Sequence, residues 1–230
     1  MNILFRSLLV VGAYLVGAIP FGLVIGKLHG VDIRKVGSGN IGATNVTRAV
    51  GRTAGKVCFA LDLLKGALPV LAAQLIYPGV YWLPLVCGAA AVVGHIFPVY
   101  LKFRGGKGVS TAAGVALALA PLPLVCAAAI WVASFFIWRY VSLASILAAL
   151  TLPLFALLFI RLGWGTATAR SWLTFGFLTA AAAITVLRHT ENIKRLLNGT
   201  ENRFGKPKGT APPAGEGKVT PADDPQKREE

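Results

Sequence analysis

The sequence predicts an all-α, polytopic integral membrane protein with about seven transmembrane helices. Of its 230 residues, 55% are hydrophobic and only 14% are charged, which is too apolar for an ordinary soluble domain. The apolar residues fall in runs long enough to cross a bilayer, which takes roughly 20 helical residues for about 30 Å of hydrocarbon. The charged residues lie almost entirely between these runs.

Hydropathy and length define the individual spans. The boundary between the fourth and the fifth depends on Pro121 and Pro123, and merging these two spans would change the number of crossings. Six further spans, and the lack of a clear small-residue cleavage site, favour a retained first helix over a signal peptide. The predicted spans are residues 7–26, 57–77, 84–100, 109–125, 126–141, 143–160 and 172–188.

The basic residues fall on one side of the predicted membrane. Of the 23 Lys and Arg residues, only Arg6, Arg161 and Arg170 lie on the other side. Because basic short loops stay in the cytoplasm, the N-terminus is predicted outside and the C-terminus inside. We expect residues 1–205 to form one membrane domain. Residues 206–230, rich in Pro, Gly and charge, are expected to form a disordered cytoplasmic tail.

The first basic loop contains GSGNIGATNVTR, residues 37–48. Its G-x-G-x-x-G pattern would indicate a dinucleotide site only after a strand in a βαβ unit, and here it lies between two membrane spans. Glycines let a backbone approach an anion closely, so we favour ligand binding over a purely structural turn. The candidate residues are Gly37, Ser38, Gly39, Asn40, Thr44, Asn45 and Arg48.

The second basic loop contains KFRGGKGVST, residues 102–111. It lacks the spacing of a nucleotide-binding P-loop, so nucleotide hydrolysis is not predicted. A glycine-rich backbone with a lysine at a helix start is typical of an anion site, although a basic loop flanking a membrane is an equal alternative. The candidates are Lys102, Arg104, Gly105, Gly106, Lys107 and Gly108.

Other candidates are polar residues near the same side. Asp62 and Lys65 lie inside the second span, where they serve either a functional site or a structural ion pair. His189 and Asn192 are three residues apart and therefore share a helix face among basic residues. The remaining candidates are His95, Ser142 and Ser145.

The order of these motifs resembles the bacterial acyl-phosphate-dependent glycerol-3-phosphate acyltransferases of the PlsY type. The resemblance covers residues 5–205 and includes GSGNIGATNVTR, DLLKGALPV, GHIFPVYLKFRGGKGVST, RYVSLASI and RHTENIKRLLNGTE. It implies an inner-membrane enzyme with its active site facing the cytoplasm. The implied reaction moves an acyl group from acyl phosphate to the 1-hydroxyl of sn-glycerol 3-phosphate. The products are 1-acylglycerol 3-phosphate (lysophosphatidic acid) and inorganic phosphate, in the first step of phospholipid synthesis.

The resemblance also suggests roles for the candidate residues. Lys107 and its neighbouring glycines are expected to hold a phosphate. Arg48 and the first loop are expected to contact the acyl-phosphate end. His189 and Asn192 are expected to position the glycerol hydroxyl, with either His189 or a substrate phosphate as the base. The expected catalytic residues are Ser38, Asn40, Arg48, Lys107, His189 and Asn192, and the other candidates are expected to bind substrate.

No cofactor or metal is expected, since Cys58, Cys87 and Cys126 lie singly in apolar segments. The expected partners are acyl phosphate, glycerol 3-phosphate and membrane lipids, without nucleic acid. Functional coupling to the enzyme that makes acyl phosphate is left open. The main rival is an organic-phosphate transporter, which would more naturally show repeated halves and charges near the bilayer midplane. A structural membrane protein would leave the glycine motifs unexplained.

Overall fold

The computed structural model describes residues 3–163 and 168–205, and the predicted tail lies outside these ranges. Over the described residues the chain forms ten α-helices and one turn of 3₁₀-helix, Val99–Leu101. The all-helical membrane fold predicted from the sequence is confirmed. The helices are α1 Ile3–Ala18, α2 Phe21–Leu28, α3 Ala43–Ala49, α4 Arg52–Ile76, α5 Trp82–Ile96, α6 Val109–Leu119, α7 Pro121–Trp138, α8 Val141–Arg161, α9 Ala169–Leu187 and α10 Thr190–Leu197.

Six segments of the described chain are long and apolar enough to cross a membrane. Helix α6 takes the place of the predicted fourth span but has only 11 residues, a length of about 16 Å. The break before the next span falls at Ala120, earlier than the predicted boundary after residue 125. The six segments are Ile3–Leu28, Arg52–Ile76, Trp82–Leu101, Pro121–Trp138, Val141–Arg161 and Arg170–Leu187.

Helix α6 is short because Ala120 leaves the helical conformation, with φ −149° and ψ 68°, just before Pro121 begins α7. The loop before α6 folds back along the end of α5. The Gly105 and Gly106 backbone amides each donate to a carbonyl near the end of α5, of Ile96 and His95 respectively, both at 3.1 Å. Gly108 then turns the chain into α6 with a φ of 84°, a left-handed conformation that glycine adopts without strain. The backbone of this loop is thereby hydrogen-bonded to the end of α5 immediately before α6 begins.

The predicted first span is divided at Pro20, which separates α1 from α2. Proline cannot donate a backbone hydrogen bond, so the helix ladder is interrupted there. The Ile19 carbonyl instead accepts a hydrogen bond from the Lys65 ammonium at 2.7 Å. An ionisable side chain of α4 therefore satisfies the backbone at the break in the first span.

Close helix contacts hold α4 against α6. Gly66 lies against the Thr111 backbone and Gly114 against the Leu63 backbone, where an added Cβ would overlap the neighbouring chain in both cases. Membrane helices associate through such close packing, since lipid provides little hydrophobic drive between them. The glycines therefore fix the position of α6 and of the loop that precedes it.

The connections that the sequence assigns to the basic-rich side meet at one end of the bundle. Arg48 donates to the Asn202 carbonyl at 3.4 Å, and Lys107 donates to the Asn192 side chain. Ser142, at the start of α8, also bonds to the C-terminal segment. These contacts join the four segments at one end, and the assignment of that end to the cytoplasm stays a prediction.

Candidate functional site

A cavity of about 530 Å³ lies where these connections meet. Its walls come from the loop and helix of the first motif, the start of α6, the start of α8 and the junction of α9 with α10. Thirteen of the candidate residues line it: Ser38, Asn40, Thr44, Asn45, Arg48, Asp62, His95, Lys107, Gly108, Ser142, Ser145, His189 and Asn192. The structure thus brings together residues separated by as many as 154 positions in the chain, from Ser38 to Asn192.

Asn45 organises the first motif. Its side-chain amide donates to the Ile33 carbonyl at 2.8 Å and the Val36 carbonyl at 3.0 Å. Its amide oxygen accepts from the Ser38 backbone at 2.9 Å. Gly37 crosses directly over this side chain with a φ of 66°, where a Cβ would collide with it. The buried amide therefore holds the loop in the shape that presents Ser38 to the cavity.

Lys107 carries positive charge into the cavity from the second motif. It donates a hydrogen bond to the Asn192 side-chain oxygen. Burial, together with the charges of Arg195, Arg188 and Arg48, lowers the pKa of Lys107 to about 8, although Glu201 opposes the shift. A poorly hydrated ammonium among other cations favours binding of an anion, which restores the solvation that burial removes.

His189 has a defined tautomer. Its Nδ1 lies 2.7 Å from the Thr185 carbonyl, which can only accept, so Nδ1 carries the proton. Burial first, and then the charge of Lys107, lowers the pKa of His189 to about 4. The imidazole is therefore neutral at physiological pH. Its unprotonated Nε2 is available to accept a hydrogen bond from a substrate hydroxyl.

Glu201 is a site residue that the sequence reasoning missed. Its carboxylate accepts hydrogen bonds from Ser142 at 2.9 Å, Asn192 at 2.7 Å and Arg195 at 2.8 Å. Burial raises the pKa of Glu201, but these hydrogen bonds outweigh burial and hold it below its ordinary value. The carboxylate thereby ties the start of α8 to α10. The sequence signal that could have identified Glu201 is its position at the end of the RHTENIKRLLNGTE motif. It was not used because a carboxylate is not expected at a site that binds anions.

A second, apolar cavity of about 670 Å³ adjoins the first. Hydrocarbon side chains from α4 and from α6 to α9 dominate its walls. Both cavities share the lining residues Ala43, Thr44, Phe59, Val109, Trp131, Val141 and Ser145. The combined space suits an amphiphile with an anionic head and a hydrocarbon chain.

Comparison with known proteins agrees with this chemistry. The profile of the glycerol-3-phosphate acyltransferase family matches residues 7–199. The chain belongs to the glycerol-3-phosphate acyltransferase family. The glycerol-3-phosphate acyltransferase of Geotalea daltonii is 46% identical over 85% of this chain and 96% of its own. That of Aquifex aeolicus is 46% identical over 85% of this chain and 97% of its own.

Solved structures show the same fold. The integral membrane glycerol 3-phosphate acyltransferase PlsY, in its glycerol 3-phosphate form, is 44% identical and superposes with a TM-score of 0.78. The match covers 87% of this chain and 96% of PlsY. Its lysophosphatidic acid form superposes with a TM-score of 0.77. This membrane acyltransferase therefore shares its fold with a relative whose described forms contain the acceptor and an acylated product.

Seven of the candidate residues do not line the acyltransferase's polar cavity. Lys102 and Arg104 are exposed on the outer part of the second loop. Gly105 and Gly106 pack behind the loop against the end of α5. The full set is Gly37, Gly39, Lys65, Lys102, Arg104, Gly105 and Gly106. Their expected role in substrate binding stays a prediction, and in this arrangement the inner glycines act by shaping the loop.

Lys65 and Asp62 form a buried ion pair, with Nζ and Oδ1 2.7 Å apart and both side chains 2% exposed. Asp62 borders the polar cavity, whereas Lys65 points its ammonium at Asp62 and the Ile19 carbonyl. A buried charge is tolerated when it is paired and hydrogen-bonded. The contacts favour the structural alternative for this pair in the acyltransferase.

We expect the Gly106→Ala variant to raise the KM for glycerol 3-phosphate. A Cβ at this position would overlap the buried His95 imidazole, so the loop carrying Lys107 must shift. A displacement of about 1 Å costs about a hundredfold in rate, which we expect in kcat/KM. Gly79→Ala is the matched control, because nothing lies within 4 Å of its added Cβ. Unchanged kinetics in Gly106→Ala would contradict the role of this packing.

We expect the Glu201→Ala variant to lose about 2 kcal/mol of stability, since it leaves buried partners without their acceptor. Thermal unfolding in detergent measures this loss. Glu201→Gln should be intermediate, because the amide oxygen still accepts from Ser142 but no longer carries charge for Arg195. Glu191→Ala is the control, because its ion pair with Lys194 is exposed and contributes little. Equal unfolding temperatures for all four proteins would contradict the prediction.

Proposed function

We propose that this acyltransferase uses acyl phosphate as donor and the 1-hydroxyl of sn-glycerol 3-phosphate as acceptor. The supporting observation is that a cation-lined cavity and an apolar cavity share seven lining residues and therefore lie side by side. An acyl phosphate places a compact anion in the first and its hydrocarbon chain in the second. A coenzyme A thioester would additionally need to accommodate a bulky nucleotide beside the glycerol 3-phosphate.

The proposed reaction is a single acyl transfer. The glycerol hydroxyl oxygen attacks the acyl carbonyl carbon and forms the ester bond. The bond between that carbon and the phosphate oxygen breaks, and phosphate leaves with the electron pair. Because phosphate is a good leaving group, positioning and charge neutralisation supply most of the acceleration without a covalent acyl-enzyme.

We assign the phosphate of glycerol 3-phosphate to Lys107 and Gly108, which line the cavity, while Gly105 and Gly106 hold their loop against the end of α5. Arg48 presents a planar fork suited to the acyl-phosphate end. Ser38 and Asn40, which line the same cavity as Arg48, are assigned to that end and to the developing oxyanion. The two phosphates thereby occupy neighbouring parts of one cavity, and neutralisation of both lowers their mutual repulsion.

His189 and Asn192 are assigned to the attacking hydroxyl. The low pKa of His189, about 4, which results mainly from burial, makes it a weak base. Its neutral Nε2 can still orient the hydroxyl by accepting a hydrogen bond. These properties favour a phosphate oxygen of the substrate as the final proton acceptor, with His189 as the orienting group.

We place the enzyme in the bacterial inner membrane with the polar cavity open to the cytoplasm. The basic-rich connections meet around this cavity, and such connections stay cytoplasmic. Glycerol 3-phosphate then enters the polar cavity from water, and the acyl chain enters the apolar cavity from the bilayer. Because acyl phosphate is labile, we expect this enzyme to receive it directly from the enzyme that makes it. Functional coupling of the two enzymes would shorten the exposure of the donor to water.

Phosphate release by the detergent-purified protein tests the donor. We expect palmitoyl phosphate with glycerol 3-phosphate to give phosphate and lysophosphatidic acid in equal amounts, and palmitoyl-CoA to give no product. Product from the thioester would show that the donor assignment is wrong. An Arg48→Ala variant serves as the control for non-enzymatic hydrolysis, which would release phosphate without lysophosphatidic acid.

A further inference from the structure

The apolar cavity is a groove that runs away from the polar cavity along several helices. On α8, its lining proceeds from Val141 through Ser145 and Ala148 to Leu152. On α9, which runs in the opposite direction, it ends at Leu178. The 11 steps along the helix from Val141 to Leu152 correspond to about three helical turns, or about 16 Å.

Small side chains form much of the walls of this groove, beside larger residues such as Phe59, Trp131 and Phe135. Four helices contribute pairs of alanines, so the space between helices is left open to a ligand where leucine would fill it. These wall residues are Ala112, Ala113, Ala127, Ala128, Ala148, Ala149, Ala181 and Ala182. The width of the groove is therefore set by residues that add little volume of their own.

The deep end is closed by larger residues. Leu124, Leu152 and Leu178 line the groove at this end. All three also belong to a packed cluster with Ala116 and Ala156, which are 0% and 5% exposed. Neither of these two alanines borders the groove. The three leucines consequently form a floor, with packed protein rather than open space beyond it.

We infer that Leu124, Leu152 and Leu178 set the upper length of acyl chain that the groove accepts. This inference rests on the proposed function, because the occupant is the chain of the acyl phosphate. An extended chain advances about 3.5 Å for every three bonds, so about 16 Å accommodates about 14 bonds. A longer chain must bend, leave the groove or displace a floor leucine, and each of these loses favourable contact.

The Leu152→Ala variant tests the floor by deepening the groove. Each buried methylene contributes about 0.8 kcal/mol, or a factor of about four. We expect the ratio of kcat/KM for stearoyl phosphate to that for myristoyl phosphate to rise about tenfold. Ala148→Leu should act in the opposite sense. The larger side chain would lie halfway along the groove. The ratio of kcat/KM for palmitoyl phosphate to that for lauroyl phosphate should therefore fall at least about tenfold.

Leu150→Ala is the matched control. Leu150 lies on the same helix, is 48% exposed and does not border the groove, so its variant should keep the wild-type ratios. Unchanged ratios in active Leu152→Ala and Ala148→Leu enzymes would overturn the inference. Ala148→Leu decides the matter alone if Leu152→Ala does not fold. Failure of the wild type with every acyl phosphate would instead refute the proposed function.

Discussion

We expect the Lys107→Ala variant to lose about a thousandfold in kcat/KM for glycerol 3-phosphate. The ammonium is half-buried beside the Asn192 side chain and among cations that border the same cavity. Removal of one charge-stabilising donor from such a site costs about a hundredfold to a thousandfold. Initial rates over a range of acceptor concentrations measure the effect. Lys35→Ala is the control, because Lys35 is exposed and borders neither cavity.

The pH dependence gives Lys107 a second readout. Because burial lowers the pKa of Lys107 to about 8, the free enzyme holds the charged form below about pH 8 and loses it above. The kcat/KM of the wild type should therefore fall as pH rises through about 8. Lys107→Arg should move this fall upward, because a guanidinium stays protonated. An alkaline fall that is unchanged in Lys107→Arg would contradict the assignment.

Replacement of His189 by alanine should lower kcat about a hundredfold, with a smaller change in the KM for glycerol 3-phosphate. The reason is loss of the Nε2 acceptor that orients the hydroxyl, an effect within the range of positioned groups in catalysis. Single-turnover rates with saturating substrates check this directly. Wild-type kcat in His189→Ala would remove His189 from any catalytic role.

The His189→Gln variant separates orientation from proton abstraction. A glutamine oxygen accepts a hydrogen bond but does not take up a proton at these pH values. With the pKa of His189 at about 4 because of burial, we expect glutamine to recover most of the rate. As the pH is lowered, the rate should then fall with protonation of the substrate phosphate, near pH 6, in both the wild type and His189→Gln. A glutamine variant as slow as the alanine variant would instead assign the base to His189.

Convergence of the motif residues could be predicted from the sequence. Arg48, Lys107 and His189 follow the first, third and last predicted spans, and alternate connections must return to the same side of a membrane. Their types, two cations and a histidine among glycines, indicated an anion site. The structure brings all three to one cavity.

Two features of the fold could not be predicted by hydropathy. Helix α6 appeared to be a full span because the apolar residues beyond Ala120 continue without a drop in hydropathy. Its early end depends on Ala120, which leaves the helical conformation just before Pro121 begins the next helix. The break at Pro20 is compensated by Lys65 from another helix.

The floor of the groove and the role of Glu201 also required the structure. Leucines that face a ligand and leucines that face lipid have the same hydropathy, so only packing distinguishes Leu152 from Leu150. Glu201 is one of several charged residues near the C-terminal end of the domain in sequence. Its importance comes from three partners that the fold brings together.

The most direct test of the account uses glycerol 3-phosphate with a heavy-oxygen label in its 1-hydroxyl and palmitoyl phosphate as the sole donor. Attack of that oxygen on the acyl carbon predicts lysophosphatidic acid with the label in its ester and an equal amount of unlabelled phosphate. Label in a second phosphate ester of glycerol together with free palmitate, which attack at phosphorus would give, or no lysophosphatidic acid from folded protein, would contradict direct acyl transfer from acyl phosphate.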